Sequence, residues 1–220
     1  MNGKRITIFS GHYGSGKTNV ALTYALSERE KGKKVAIADI DIVNPYFRTK
    51  DSEALLAERG IRLICSEYAN TNIDILALPQ DIYAIVDDKS LTCILDVGGD
   101  ERGALALGRI APAIREENDY DMIFVANRYR PLTATVEGAM EVLREIEAAA
   151  GLRFTAIVNN SNLGEETTAE DVLSSMEYAE EICRQTGLPL KMTCVHAHLY
   201  PELKDKIDNL FPLTLQRKIK

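Results

Sequence analysis

Tryptophan is absent from this 220-residue chain, and aromatic residues make up only 6% of it. Glycine (14) and proline (7) are too sparse for a collagen-like or low-complexity protein. The four cysteines, Cys65, Cys93, Cys183 and Cys194, form no C-x-x-C pair. Such scattering fits reduced, mostly buried thiols better than a disulfide framework. Histidine occurs three times, and the His196-Ala-His198 pair has no Cys/His/carboxylate cluster at metal-ligand spacing, so it reads as a loop near a ligand or an interface. No apolar run reaches the ~18 residues of a membrane span, and the opening MNGKRITIFS lacks the roughly 7–15-residue core of an export signal. These absences predict a cytoplasmic protein without a transmembrane segment. Positive charge is also short: 26 Lys and Arg against 33 Asp and Glu give −7, which argues against a chain-wide grip on nucleic acid.

Hydrophobic residues, at 45%, are sufficient for a substantial core. Apolar β-rich runs alternate with helical patterns throughout. The expected strands are Arg5–Ser10, Lys34–Ala38, Arg62–Cys65, Ile73–Leu78, Leu91–Val97, Met122–Ala126, Phe154–Val158 and Lys191–Val195. The expected helices are Thr18–Lys31, Glu53–Arg59, Gln80–Asp87, Arg102–Glu117, Leu132–Ala150 and Ala169–Thr186. Pro131 suits the opening of the fifth helix, and Thr167 or Thr168 suits the cap of the sixth. Strands that are apolar on both faces belong in a parallel sheet covered by helices on each side. The chain therefore reads as one three-layer α/β domain over residues 1–220, with a mainly parallel twisted sheet of about seven or eight strands.

Directly after the first strand stands Gly11-His12-Tyr13-Gly14-Ser15-Gly16-Lys17-Thr18, a match to G-x-x-x-x-G-K-[ST]. Chance would produce about 0.01 such matches in a chain of this length. Backbone N–H groups of the glycine-rich turn can wrap an anion, and the helix that follows, with Asn19 in its first turn, adds partial positive charge. Lys17 supplies a point charge to outer phosphates, and the Thr18 hydroxyl can ligate Mg²⁺. The pattern predicts a three-layer P-loop NTPase fold.

Asp39 and Asp41 close the second strand, and Asp96 closes another ahead of Gly98-Gly99. Strand C-termini of a doubly wound sheet share one edge, where ligands bind. Asn44-Pro-Tyr-Phe-Arg48 should form a loop over that site, and Asn127-Arg-Tyr-Arg-Pro131 brings two guanidinium groups to another strand end. The acidic tract Gly164–Asp171 reads as a capped, solvated helix start, and the basic end Gln216–Lys220 as a frayed tail.

Phosphate loop, D-x-D, D-x-G-G and a late Asn stand here in the order of the MinD/ParA branch of P-loop NTPases, which the chain resembles along most of its length. The resemblance implies an ATP-binding, Mg²⁺-dependent ATPase acting as a nucleotide-dependent switch for a protein partner, and able to form a homodimer. It implies that Lys17 and Thr18 bind phosphate and Mg²⁺, that Asp41 orients the hydrolytic water and contributes to the Mg²⁺ site, and that Asp96 contributes to the Mg²⁺ site and senses Mg²⁺ and the γ-phosphate. Asn159, or its neighbour Asn160, would read the adenine edge. Members of the branch carry a second lysine after the first loop glycine, reaching a partner's phosphate; here His12 takes that place. Another residue, such as Arg48 or Arg102, would then supply that charge, or dimerisation would take another form. Two alternatives are an ATP-dependent phosphotransferase or ligase using Arg48, Arg128 and Arg130, and a GTPase metal-insertion chaperone. The second of these would call for an N-K-x-D and a His/Cys cluster, neither of which the sequence contains.

Overall fold

Short apolar strands buried on both faces need helices above and below them, and the chain supplies both. The computed structural model describes residues 3–40, 52–65, 80–99 and 101–213. Within them the strands are β1 (Ile6–Ser10), β2 (Val35–Asp39), β3 (Arg62–Cys65), β4 (Thr92–Asp96), β5 (Tyr120–Ala126), β6 (Ala156–Asn159), β7 (Leu190–His196) and β8 (Leu210–Leu213). The helices are α1 (Lys17–Glu30), α2 (Glu53–Glu58), α3 (Gln80–Asp87), α4 (Glu101–Glu117), α5 (Val136–Ala150), α6 (Ala169–Ser174), α7 (Met176–Thr186) and α8 (Tyr200–Leu203). The eight strands form one sheet in the order β3-β2-β4-β1-β5-β6-β7-β8. Every neighbouring pair is parallel.

Strand side chains alternate between two cores. Ile6 and Ile8 of β1, Leu95 of β4 and Phe124 of β5 pack with α3, α4, α5 and α7 on one face. Phe9, Ile37, Ile94, Ile123 and Val125 pack on the other face with α1 and Leu56 of α2. Full burial of such a side chain contributes about 1.5–3 kcal/mol. This is the three-layer α/β architecture expected, with the sheet in the middle.

Several boundaries differ from the sequence reading. β8 was not foreseen: Leu210-Phe-Pro-Leu213 is short and includes a proline, which an edge strand tolerates. Pro131 opens a separate 3-10 turn, Pro131–Thr133, rather than the fifth helix. That helix begins at Val136, where Thr135 Oγ1 caps it by accepting from Gly138 N at 3.2 Å. The expected Ala169–Thr186 helix is two, broken at Ser175. Ser175 is buried and its hydroxyl donates to Val172 O at 2.7 Å, a back-bond that competes with the helical ladder. Thr168 is the cap, reciprocated by Asp171. The expected strand Ile73–Leu78, the Asn44–Arg48 loop, Asp41 and the tail Gln216–Lys220 lie outside the described residues.

The chain leaves β1 toward α1 on one face and β4 toward α4 on the other. Because β1 and β4 are neighbours, their C-terminal loops diverge and open a crevice at that edge, the place where sheets of this kind bind ligands.

Candidate functional site

The site is built on the turn that closes β1. Gly11 presses against β5, where a Cβ would fall 2.5 Å from Val125 O. The turn tightens as Ser15 N donates to His12 O at 3.1 Å. Gly16 then takes φ +86°, a left-handed conformation that favours glycine, and Lys17 opens α1. A Cβ at Gly16 would collide with Asn160 Nδ2, so space and backbone angle make the same demand.

Two side chains from neighbouring strand ends hold the turn. Asn160, just past β6, donates Nδ2 to Ser15 O at 2.6 Å. Arg130, past β5, donates Nε to Gly14 O at 2.7 Å. Since the peptide is planar and trans, drawing the Ser15 carbonyl toward Asn160 aims the Gly16 N–H the opposite way. The first N–H groups of α1 have no intrahelical partner by geometry, so the turn and helix start form an anion-binding concavity.

Lys17 is 5% exposed and its Nζ donates to His12 O at 3.4 Å, while Thr18 is buried behind it. The Ser15 hydroxyl and the Asn160 Oδ1 atom are buried and have no hydrogen-bond partner among the described residues. Tyr13 stands at the exposed rim, and Asn19 is half-buried in the first turn of α1. Burial lowers the His12 pKa; a hydrogen bond with the Tyr13 backbone opposes this, and the positive charges of Lys17 and Arg130 lower it further.

Asp96 ends β4 fully buried, paired in register with Phe9 of β1 and with Asp39 of β2. It therefore sits beside the start of the phosphate-loop turn, with Asp39 one strand farther out. The next glycine pair is in contact rather than merely near: a Cβ on Gly99 would collide with Gly11 O and with the His12 carbonyl carbon. The two loops of the crevice touch through bare backbone. His12 and Gly99 also form one end of a cavity of about 680 Å³ walled by Leu105, Leu132, Glu145 and Ile146.

The other candidates separate. Asn159 is fully buried; its Nδ2 donates to Ser175 Oγ at 2.8 Å and its Oδ1 accepts from Ser161 N at 3.1 Å. The amide bonded to the phosphate-loop turn belongs to Asn160, whereas that of Asn159 ties β6 to the break between α6 and α7. Arg128 donates to Ser174 O at 2.5 Å and lies over the Tyr129 ring, turned toward α6 and away from the turn. Arg102 lies in the first turn of α4. His196 and His198 meet edge to face at 5.6 Å beyond β7, and burial holds the His196 pKa below its usual value. Among the described residues no group of three or more His, Cys, Asp or Glu is arranged to hold a metal ion. The roles of Arg130 toward Gly14 and of Ser175 toward Asn159 are not legible in the sequence, because both depend on which strand ends become neighbours.

No protein family and no curated protein matches the sequence. Solved structures do match in fold. FtsY from Mycoplasma mycoides aligns with a TM-score of 0.58 at 19% identity, over 86% of this chain and 59% of that one. The cell division protein FtsY from Thermotoga maritima gives 0.57 at 17%, over 89% and 63%. The signal recognition particle receptor FtsY from Elizabethkingia anophelis, in complex with GDP, gives 0.54 at 16%, over 89% and 58%. This chain thus spans less than two thirds of the length of those proteins. At such identities the likeness speaks for fold alone, and together with the sheet order and turn it defines the chain as having a P-loop NTPase fold. Among the described residues no helix is long and apolar enough to cross a membrane.

Proposed function

We propose that this protein binds a nucleoside triphosphate, with adenine as the preferred base, hydrolyses it with Mg²⁺, and uses the nucleotide state to control a protein partner. The observation that carries the reading is the turn Gly11–Thr18, formed at the C-terminal edge of a parallel sheet and leading directly into α1. Its fit to a triphosphate is supported by the left-handed Gly16, the collision a side chain would cause there, and the buried Ser15 hydroxyl, which has no partner among the described residues.

In this reading the turn's N–H groups and the start of α1 hold the phosphates, and Lys17 releases the His12 carbonyl to neutralise the outer ones. Thr18 and Asp96, with Asp41 by the MinD/ParA resemblance, would hold Mg²⁺, which would neutralise phosphate charge when bound. Asp41 is assigned the water-orienting role by the MinD/ParA resemblance alone. Contact between Gly99 and the turn couples the post-β4 loop to the phosphate site, as a switch requires. ATP is preferred over GTP because the segment after β6 reads Asn159-Asn160-Ser161-Asn162, without the N-K-x-D that reads guanine.

Thermal unfolding with ATP or GTP, each with Mg²⁺, tests the reading alongside phosphate release without other substrates. Nucleotide at 100 times its Kd adds about 2.7 kcal/mol, a rise of about 5–10 °C for a chain of this size. The wild-type chain should show that rise with ATP and release phosphate, and Lys17→Ala should show neither. An equal rise in Lys17→Ala refutes the assignment of the turn. A rise with GTP alone refutes the adenine preference.

A further inference from the structure

Among the described residues, three cationic or potentially cationic groups surround the turn: Lys17, His12 and Arg130. His12 stands at the second position of the loop, where burial and the charges of Lys17 and Arg130 disfavour its protonated form. Arg130 is different in kind. It precedes a proline, which disfavours helical backbone and leaves it extended at φ −110°, ψ 135°. Its main chain is held at both ends, with Arg130 N donating to Asn127 O at 3.2 Å and Thr133 N donating to Arg130 O at 3.0 Å. The support beneath is buried, and Thr133 Oγ1 donates to Asn127 O at 2.7 Å. The side chain therefore leaves a fixed base and lies against the phosphate-loop turn. A Cβ at Gly14 would be 3.3 Å from its Nε and 3.6 Å from its Cζ.

A guanidinium has five N–H donors in a planar fork suited to phosphate. Among the described residues only Nε is engaged, with the Gly14 carbonyl, and no ion pair joins Arg130 to a carboxylate. Its neighbour Arg128 donates to Ser174 O instead, on the side of α6 and away from the turn. Arg130 and Lys17 thus bring two positive charges to one turn, each donating to a backbone carbonyl of it, an arrangement suited to a bound polyphosphate.

We propose that Arg130 is the second cation of the phosphate site, supplied in cis: it holds the Gly14 carbonyl in the ligand-free chain and takes up the terminal phosphate of a bound nucleoside triphosphate. The assignment rests on the nucleotide reading above. It places in the same chain a charge that the MinD/ParA resemblance would place in a partner.

Calorimetric titration with Mg²⁺-ADP and with the Mg²⁺-β,γ-imido analogue of ATP separates the possibilities. A charge-assisted hydrogen bond to the terminal phosphate corresponds to about 10–100-fold in affinity. Arg130→Ala should weaken the triphosphate analogue by that factor and ADP by less than about threefold, with Arg130→Lys recovering part of the loss. Equal weakening of both nucleotides would make Arg130 a clasp for the turn and nothing more, and no weakening of either would remove it from the site; each result overturns the proposal. Mixing Arg130→Ala chains with Lys17→Ala chains should leave triphosphate affinity low, whereas recovery would place the arginine in trans and overturn the cis assignment. A wild-type chain that binds neither nucleotide refutes the proposed function and this inference with it, while normal wild-type binding with an unaffected Arg130→Ala refutes only the latter.

Discussion

Replacing Gly16 by alanine should damage the phosphate-loop turn in two separable ways. Gly16 has φ +86°, and an L-residue held there costs about 1–2 kcal/mol. The new methyl also collides with Asn160 Nδ2, which must give up its bond to the Ser15 carbonyl. That carbonyl belongs to a fully buried residue, and losing its donor costs about 1–3 kcal/mol. Gly16→Ala should therefore lose about 2–5 kcal/mol, or about 5–15 °C in Tm. Asn160→Ala alone should lose only the hydrogen-bond part, about 1–3 kcal/mol. In the double variant the space is open and the bond is lost only once, so its cost should equal that of Gly16→Ala alone. The two single losses then exceed the double loss by about 1–3 kcal/mol, which urea unfolding of the four proteins measures directly. Additivity within about 0.5 kcal/mol would show that the collision does not occur and that the turn is shaped by backbone angle alone.

Two further predictions concern the scaffold. Hydrogen bonding from Arg5 holds the Glu117 carboxyl at about 2, far below its ordinary 4.5, with Lys89 reinforcing the effect. Because the folded pKa is depressed, this pair stabilises the fold above about pH 4.5 and its contribution is lost as pH falls toward 2. Glu117→Gln should flatten the fall of the urea midpoint across that window, and acid limbs of equal slope would count against the pairing. Ser175→Ala removes the acceptor for the buried Asn159 amide and should lower stability by about 1–3 kcal/mol. Its nucleotide-induced rise in Tm should match wild type, since Ser175 touches neither side of the crevice; a normal Tm would sink the assignment of Asn159 to the scaffold.

Much of the architecture is legible in residue order because its signals are local. Apolar runs bounded by glycine mark strands and helix ends, so Arg62–Cys65 and Gln80–Asp87 fall where the pattern puts them. The phosphate-loop turn is likewise local, since one strand, one turn and one helix start supply all its backbone. The exceptions turn on side chains that compete with the backbone. Nothing in Ala169–Thr186 reveals that the Ser175 hydroxyl will be buried against Val172 O and the Asn159 amide, and that burial breaks the helix. Pro131 could open either a long helix or a short turn, and Thr133 and Thr135 decide by bonding to Asn127 O and Gly138 N.

The sequence by itself therefore determined the layered α/β class, the parallel sheet and the turn able to hold an anion. Tertiary structure decided which amide of Asn159-Asn160 meets that turn, and which of Arg128 and Arg130 lies against it. Those choices depend on β5 and β6 lying side by side next to β1, an adjacency set by sheet order. A strand's own residues specify how it extends and which face it buries, but not which strand becomes its neighbour. The residues contributed by neighbouring strand ends can therefore be assigned only once the sheet is assembled.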